Sequence, residues 1–270
     1  VLGVMDIGRR ADASDVRADY RRRAAAREHE SANRRRGRRR SWFDKRPLLH
    51  LCLPYDCHHY QQRGYVMDIA ILTFDGFNEL DSLIAFGVLN RVKKPGWRVS
   101  IASPTERVRS MNGVTIESQV PLSEANAADG VIVGSGIRTR DIVADEALMA
   151  RLQLDPSRQL LGAQCSGTLV LAKLGLLDGV PACTDLTTKL WVQEAGVDVL
   201  NQPFFARGNI ATAGGCLASH YLAAWMIARL DSIDAARDAL HYVAPVGEKD
   251  DYVTRAMGHV LPYLREMPAT

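Results

Sequence analysis

A chain of 270 residues, 47% hydrophobic and 24% charged, is long enough for one sizeable core with room for an appendage. Its net charge of +3 hides an asymmetry: residues 1–66 carry 16 Lys and Arg against 8 Asp and Glu, and the remainder carries 18 against 23. Five irregularly spaced cysteines do not make a disulfide framework, no apolar run reaches the ~18 residues of a membrane span, and no apolar stretch is placed like a signal peptide's, so a cytoplasmic, reducing setting is expected.

Residues 1–66 contain the runs Arg21-Arg22-Arg23, Arg34-Arg35-Arg36 and Arg38-Arg39-Arg40 with little apolar periodicity. Such a stretch buries too little surface to order itself, so a disordered basic leader or an over-extended start is expected. A nucleic-acid partner is not expected, although a basic arm binds phosphates non-specifically. Cys52, Cys57, His58 and His59 cluster there at a spacing poor for zinc, and no metal is expected.

From Met67 strands and helices alternate. Buried strands are predicted over 68–74, 97–102, 130–133, 160–164 and 209–213, from short apolar runs bounded by Gly, Pro or Ser. Helical spacing is predicted over 80–92, 141–154, 168–174, 217–230, 235–243 and 252–264, with a tail over 265–270. This alternation predicts one α/β domain over 67–264, a parallel sheet with helices on both faces. Ligands in such sheets bind beyond the carboxyl ends of the strands.

Cys165 falls at such an end. The strand 160–164 runs into Cys165-Ser166-Gly167 and then into a helical run, the form of a nucleophile elbow. Such a turn exposes the sulfur and aims the first amides of the helix at it, which predicts a lowered thiol pKa. Two further segments should converge there: the loop after the first strand, with Glu79 and Asp81 as candidate acids, and Gly134-Ser135-Gly136. The amides of Gly134, Ser135, Gly136 and Ser166 are candidate anion donors. Plainer readings stand beside these. Asp81 is also a suitable helix N-terminal acid, and the Gly134–Gly136 segment a suitable tight turn. Cys183 and Cys216 read as small buried hydrophobes, Trp97, Trp191 and Trp225 as core, and His220 as a buried, satisfied histidine.

At these residues the chain resembles the ThiJ/PfpI superfamily, over about 67–263. The likeness rests on the strand-one loop ending in Asp81, the Gly-rich turn, Cys165-Ser166-Gly167-Thr168, and Thr212-Ala213-Gly214-Gly215 before a helix. It implies a flavodoxin-like α/β fold, a homodimer, and a carboxyl at Asp81 set against Cys165. Glu79 is then a solvated or helix N-terminal charge. An Asp followed by an apolar helix looks more like the isonitrile hydratase branch. Where some members carry His after the cysteine this chain has Ser166, and where others carry it after the next strand it has Asp185. Readings that need a Cys–His pair are thereby weakened. The resemblance implies a cofactor-independent enzyme in which Cys165 attacks a small-molecule isonitrile, Asp81 moves protons and Ser166 orients water. A glyoxalase- or deglycase-type enzyme and a non-enzymatic redox sensor are the alternatives. Phe77, Arg138, Trp191 and Phe204 are candidate pocket walls.

Overall fold

The computed structural model describes residues 66–264; expectations for 1–65 and 265–270, including the Cys52–His59 cluster, lie outside the described residues. Strand β1 (Met67–Leu72) shows how the sheet is buried on both sides. Its Ile69 and Ile71 enter one apolar cluster and its Ala70 and Leu72 the other, as the period-two alternation of a strand requires. Helix α1 (Glu79–Leu89) follows, started by Asn78, whose side chain accepts from the Leu80 amide at 3.1 Å.

Next come β2 (Trp97–Ser103), β3 (Arg107–Arg109), β4 (Thr115–Glu117), β5 (Val120–Pro121) and α2 (Leu122–Ala125). Then follow β6 (Gly130–Val133), α3 (Thr139–Ala144), α4 (Glu146–Met149), β7 (Leu160–Gln164) and α5 (Gly167–Lys173). The chain continues through α6 (Lys189–Glu194), β8 (Phe204–Arg207), β9 (Ile210–Ala213), α7 (Ser219–Leu230), α8 (Ile233–Val243) and α9 (Lys249–Val260). Among the described residues seven strands form one sheet in the order β5-β2-β1-β6-β7-β9-β8, and β3 and β4 pair separately. The fold is the expected flavodoxin-like α/β arrangement. One cluster packs under α1, α7, α8 and α9, and the other under α2, α3, α5 and α6. Among the described residues no helix is long and apolar enough to cross a membrane.

Three sequence expectations need correction. The sheet is not wholly parallel: β8 pairs antiparallel with β9 at one edge. The single helix expected over 141–154 is two short ones. Asp145 takes an extended conformation between them and accepts from the Leu148 amide at 3.0 Å, capping the second. An Asp side chain that can serve as a cap competes with a continuous helix. Cys216–Ala218 forms a 3₁₀ turn before α7 rather than its first turn.

His220 is buried, as expected. Its ring lies 4.0 Å from that of Tyr221 and 5.1 Å from that of Tyr252, and Nδ1 meets the Leu217 carbonyl. Burial pushes its pKa below the ordinary histidine value. The unfolded chain therefore takes up this proton at a higher pH than the folded chain. Stability is full above the unfolded pKa, near 6.5, and falls as pH drops below it, by up to about 1.4 kcal/mol per unit until the folded pKa is reached. His220→Gln is expected to flatten the melting temperature between pH 7.5 and 5.5. An unchanged slope would assign the acid sensitivity to other groups.

Registers set the ends of the central strands side by side. Leu72 pairs with Val133, Val133 with Ala163, and Gln164 with Ala213. The loops leaving β1, β6, β7 and β9 therefore emerge together at one edge.

Candidate active site

Cys165 follows β7 directly and has φ 48°, the only non-glycine residue with positive φ among the described residues. A side chain in this region is held only where the surroundings over-determine it. Here the Cys165 amide donates to the Ala213 carbonyl at 2.8 Å. Its carbonyl accepts from the Thr168 amide at 3.1 Å and the Thr184 hydroxyl at 2.8 Å. Gly167 completes the turn, since a Cβ there would lie 2.5 Å from the Val133 carbonyl oxygen and 2.7 Å from that of Gly134. Only glycine lets α5 start against the end of β6. The elbow expected from the sequence is present.

The loop after β1 is tied to its neighbours through the backbone. Gly76 donates to Arg109 O at 2.7 Å, and Asn78 donates to Ser135 O at 2.8 Å. Glu79 is, as expected, a solvent-reached charge in the first turn of α1, and it has a second role. Its carboxylate accepts from the Ser110 hydroxyl and from Asn112 Nδ2 at 2.9 Å, which holds its pKa below the ordinary value. It thereby pins the loop that carries Met111 to the pocket wall.

Asp81 stands in the first turn of α1 and is completely buried. Ser135 Oγ donates to its Oδ2, while Oδ1 has no hydrogen-bond partner among the described residues. A carboxylate oxygen of Asp81 and the sulfurs of Cys165 and Cys216 all lie within 4.8 Å of one another. Burial raises the Asp81 pKa, partly offset by the bond from Ser135. The expected lowering of Cys165 is overturned. The residue is 3% exposed, and burial, then the charges of Asp81 and Asp185, push its thiol up. Loss of hydration and a neighbouring anion outweigh the start of a seven-residue helix. Near neutral pH the Asp81–Cys165 pair keeps a proton.

The expected anion donors divide. Gly134 N is used by Leu72 O at 2.9 Å, and Gly136 N by Ser166 Oγ at 3.2 Å. The amides of Ser135 and Ser166 have no partner among the described residues. The Ser166 hydroxyl is also 2.7 Å from Thr139 Oγ1. It ties the elbow to the β6 loop, which leaves it less free to orient water than the sequence suggested.

A cavity of about 360 Å³ opens over these groups, lined also by Met111, Ile137, Thr188 and Trp191. Trp191 packs against the core and also lines the pocket, as both readings of it expected, with the Arg140 guanidinium 5.2 Å from its ring centre. Trp225 is core, and Trp97 is half-buried with Nε1 donating to Leu89 O at 3.0 Å. Phe77 and Phe204 are core too, and Arg138 pairs with Asp141 at 3.3 Å outside the pocket lining. Asp185, at the position where the family resemblance puts a His in some members, lines the pocket, but its oxygens are engaged. Oδ1 accepts from the amides of Thr187 and Thr188, and Oδ2 from Thr188 Oγ1 at 2.7 Å. Among the described residues no histidine lines the cavity.

Cys183 is fully buried core, its thiol pushed up to about 12 by burial. Cys216 is not: it is half-buried, lines the cavity and accepts from Asn78 Nδ2 at 3.2 Å. The sequence did hold a pointer. Cys216 directly follows the Gly214-Gly215 turn after β9, and β9 lies beside β7, so this is the fourth loop on the active edge.

The sequence profile of the DJ-1/PfpI family matches residues 67–229. No curated protein matches the chain. Among solved structures, a ThiJ/PfpI family protein from Pseudomonas syringae is 17% identical with a TM-score of 0.60, covering 78% of this chain and 95% of its own. DJ-1 from Schizosaccharomyces pombe is 16% identical with a TM-score of 0.57, covering 66% and 100%. An AraC family transcriptional regulator structure from Pseudomonas putida is 16% identical with a TM-score of 0.55, covering 66% and 100%. At such identities the likeness speaks for the fold alone.

Proposed function

This chain belongs to the DJ-1/PfpI family, and from its site we propose a cofactor-independent enzyme in which Cys165 attacks a small neutral electrophile, best matched by hydration of an isonitrile. The observation that carries this reading is the Asp81–Cys165 pair, buried at the floor of a cavity that no histidine among the described residues lines. Chemistry based on a Cys–His pair has no second base here. Chemistry that moves one proton between a thiol and a carboxyl has what it needs.

In the proposed cycle the thiol proton passes to Asp81 as the sulfur bonds to the terminal isonitrile carbon. Asp81 delivers that proton to the same carbon, leaving a thioimidate. Water then adds across the carbon–nitrogen double bond, its oxygen to carbon and one proton, relayed by Asp81, to nitrogen. Collapse of the tetrahedral adduct expels the sulfur, which regains the hydroxyl proton, and releases an N-substituted formamide. Overall one isonitrile and one water give one formamide with no net oxidation. The raised thiol pKa suits this sequence, since the proton is present at rest and leaves only as the carbon bond forms. The amides of Ser135 and Ser166 are the donors left to hold charge that develops on the substrate. Met111, Ile137 and Trp191 favour an apolar substituent. A cytoplasmic homodimer without a nucleic-acid partner belongs to the same reading.

The test is formamide production from an aliphatic isonitrile by the purified full chain, with methylglyoxal in parallel. Formamide formation supports the reading. Turnover of methylglyoxal alone moves the assignment to a glyoxalase-type enzyme. If neither reacts and peroxide converts Cys165 to a stable sulfinate, the enzyme reading is lost to a redox sensor.

A further inference from the structure

We propose that Asp81, Cys165 and Cys216 form a binding site for a thiophilic d¹⁰ metal ion such as Zn²⁺, with its remaining coordination position open to the cavity. The three side chains come from three separate loops or helix starts, yet their donor atoms lie within 4.8 Å of one another. A tetrahedral zinc with Zn–S bonds of ~2.3 Å separates its sulfurs by ~3.8 Å, so side-chain adjustments of about 1 Å or less suffice.

A second observation points to a ligand. Asp81 is 0% exposed, and its Oδ1 has no hydrogen-bond partner among the described residues. A buried carboxyl oxygen left this way normally costs free energy, and a cation beside it removes that cost. The surrounding donors fit as well. Ser135 Oγ donates to Asp81 Oδ2, Gln164 Nε2 to Cys165 Sγ at 3.4 Å, and Asn78 Nδ2 to Cys216 Sγ at 3.2 Å. Each prospective ligand thus has its own outer donor, which fixes its orientation, as in established metal sites. Two sulfurs and one oxygen select zinc and similar thiophilic ions over magnesium or calcium.

The ion and the electrophile would compete for Cys165. Metal binding ties up a sulfur lone pair and lowers the nucleophilicity of Cys165, so the loaded protein is a distinct, less reactive state. The site does not depend on which reaction the metal-free protein performs.

The experiment uses the full chain carrying Cys52→Ser and Cys57→Ser, so that those two thiols cannot respond. Co²⁺ is titrated in without oxygen and then displaced by Zn²⁺. The expected result is one equivalent of Co²⁺ with sulfur-to-cobalt charge-transfer absorption, lost on adding Zn²⁺. Cys216→Ser should cut that absorption by about half and weaken binding at least tenfold, while Cys183→Ser changes neither. Asp81→Asn should weaken binding without removing the sulfur band. Circular dichroism and melting of each variant separate lost ligands from lost folding, and Cys216→Ser differs by one atom in a half-buried place. Absence of a sulfur-to-cobalt band in the parent, or its survival undiminished in a folded Cys216→Ser protein, overturns the proposal. Formamide assays on the metal-free protein report separately on the proposed enzyme.

Discussion

Cys165→Ala is expected to abolish covalent turnover, and Asp81→Asn to lower kcat by roughly 100- to 10,000-fold while the fold is kept. The two losses have different causes. Alanine removes the atom that bonds to substrate. Asparagine leaves Ser135 an acceptor of similar shape but cannot take up and return a proton. The substitution also removes a buried carboxyl whose Oδ1 is unpartnered, so the melting temperature should hold or rise. Steady-state kinetics with an isonitrile, read beside thermal melting, separate the two effects. A folded Asp81→Asn enzyme that retains more than about a tenth of its kcat would remove Asp81 from the proton path. His220→Gln serves as the comparison, since that residue lies outside the cavity lining and should leave kcat near the parent value.

Gly167→Ala is expected to cost about 3 kcal/mol or more, a fall of roughly 6–12 °C in melting temperature for a domain of this size. A Cβ there would sit 2.5 Å from the Val133 carbonyl oxygen and 2.7 Å from that of Gly134. Those atoms are backbone at the end of a central strand and have little room to move, so the elbow must shift. Cys165 lies two residues away, and turnover should fall with stability. Gly87→Ala in α1 is the control of opposite sign. Nothing lies within 4 Å of its Cβ, and replacing a helical glycine should stabilise by about 0.5–1 kcal/mol. Equal melting temperatures for the two variants would show that α5 does not need its close start against β6.

The sequence by itself determined what rests on neighbouring residues. The buried run of β1, the strand ending at Cys165 and the Ser-Gly turn after it are local patterns whose geometry follows from backbone sterics and the period of two. They were enough to predict the α/β fold and the elbow. The α/β pattern brought the loop with Glu79 and Asp81 towards Cys165, but that Asp81 is the acid set against the sulfur was legible only through the family likeness. Tertiary structure decided the rest. Asp145 interrupts the helix over 141–154 because its side chain caps α4. β8 turns antiparallel because it returns to pair along β9 at an edge. Cys216 enters the site because the register of β7 and β9 sets the loop after β9 beside the elbow, which no composition or period encodes. The direction of the Cys165 pKa was lost to the sequence for the same reason. Helix amides can be read from the chain order, but hydration is removed by whatever packs around the sulfur. That burial, together with the buried carboxyl of Asp81, exists only once the four loops have met.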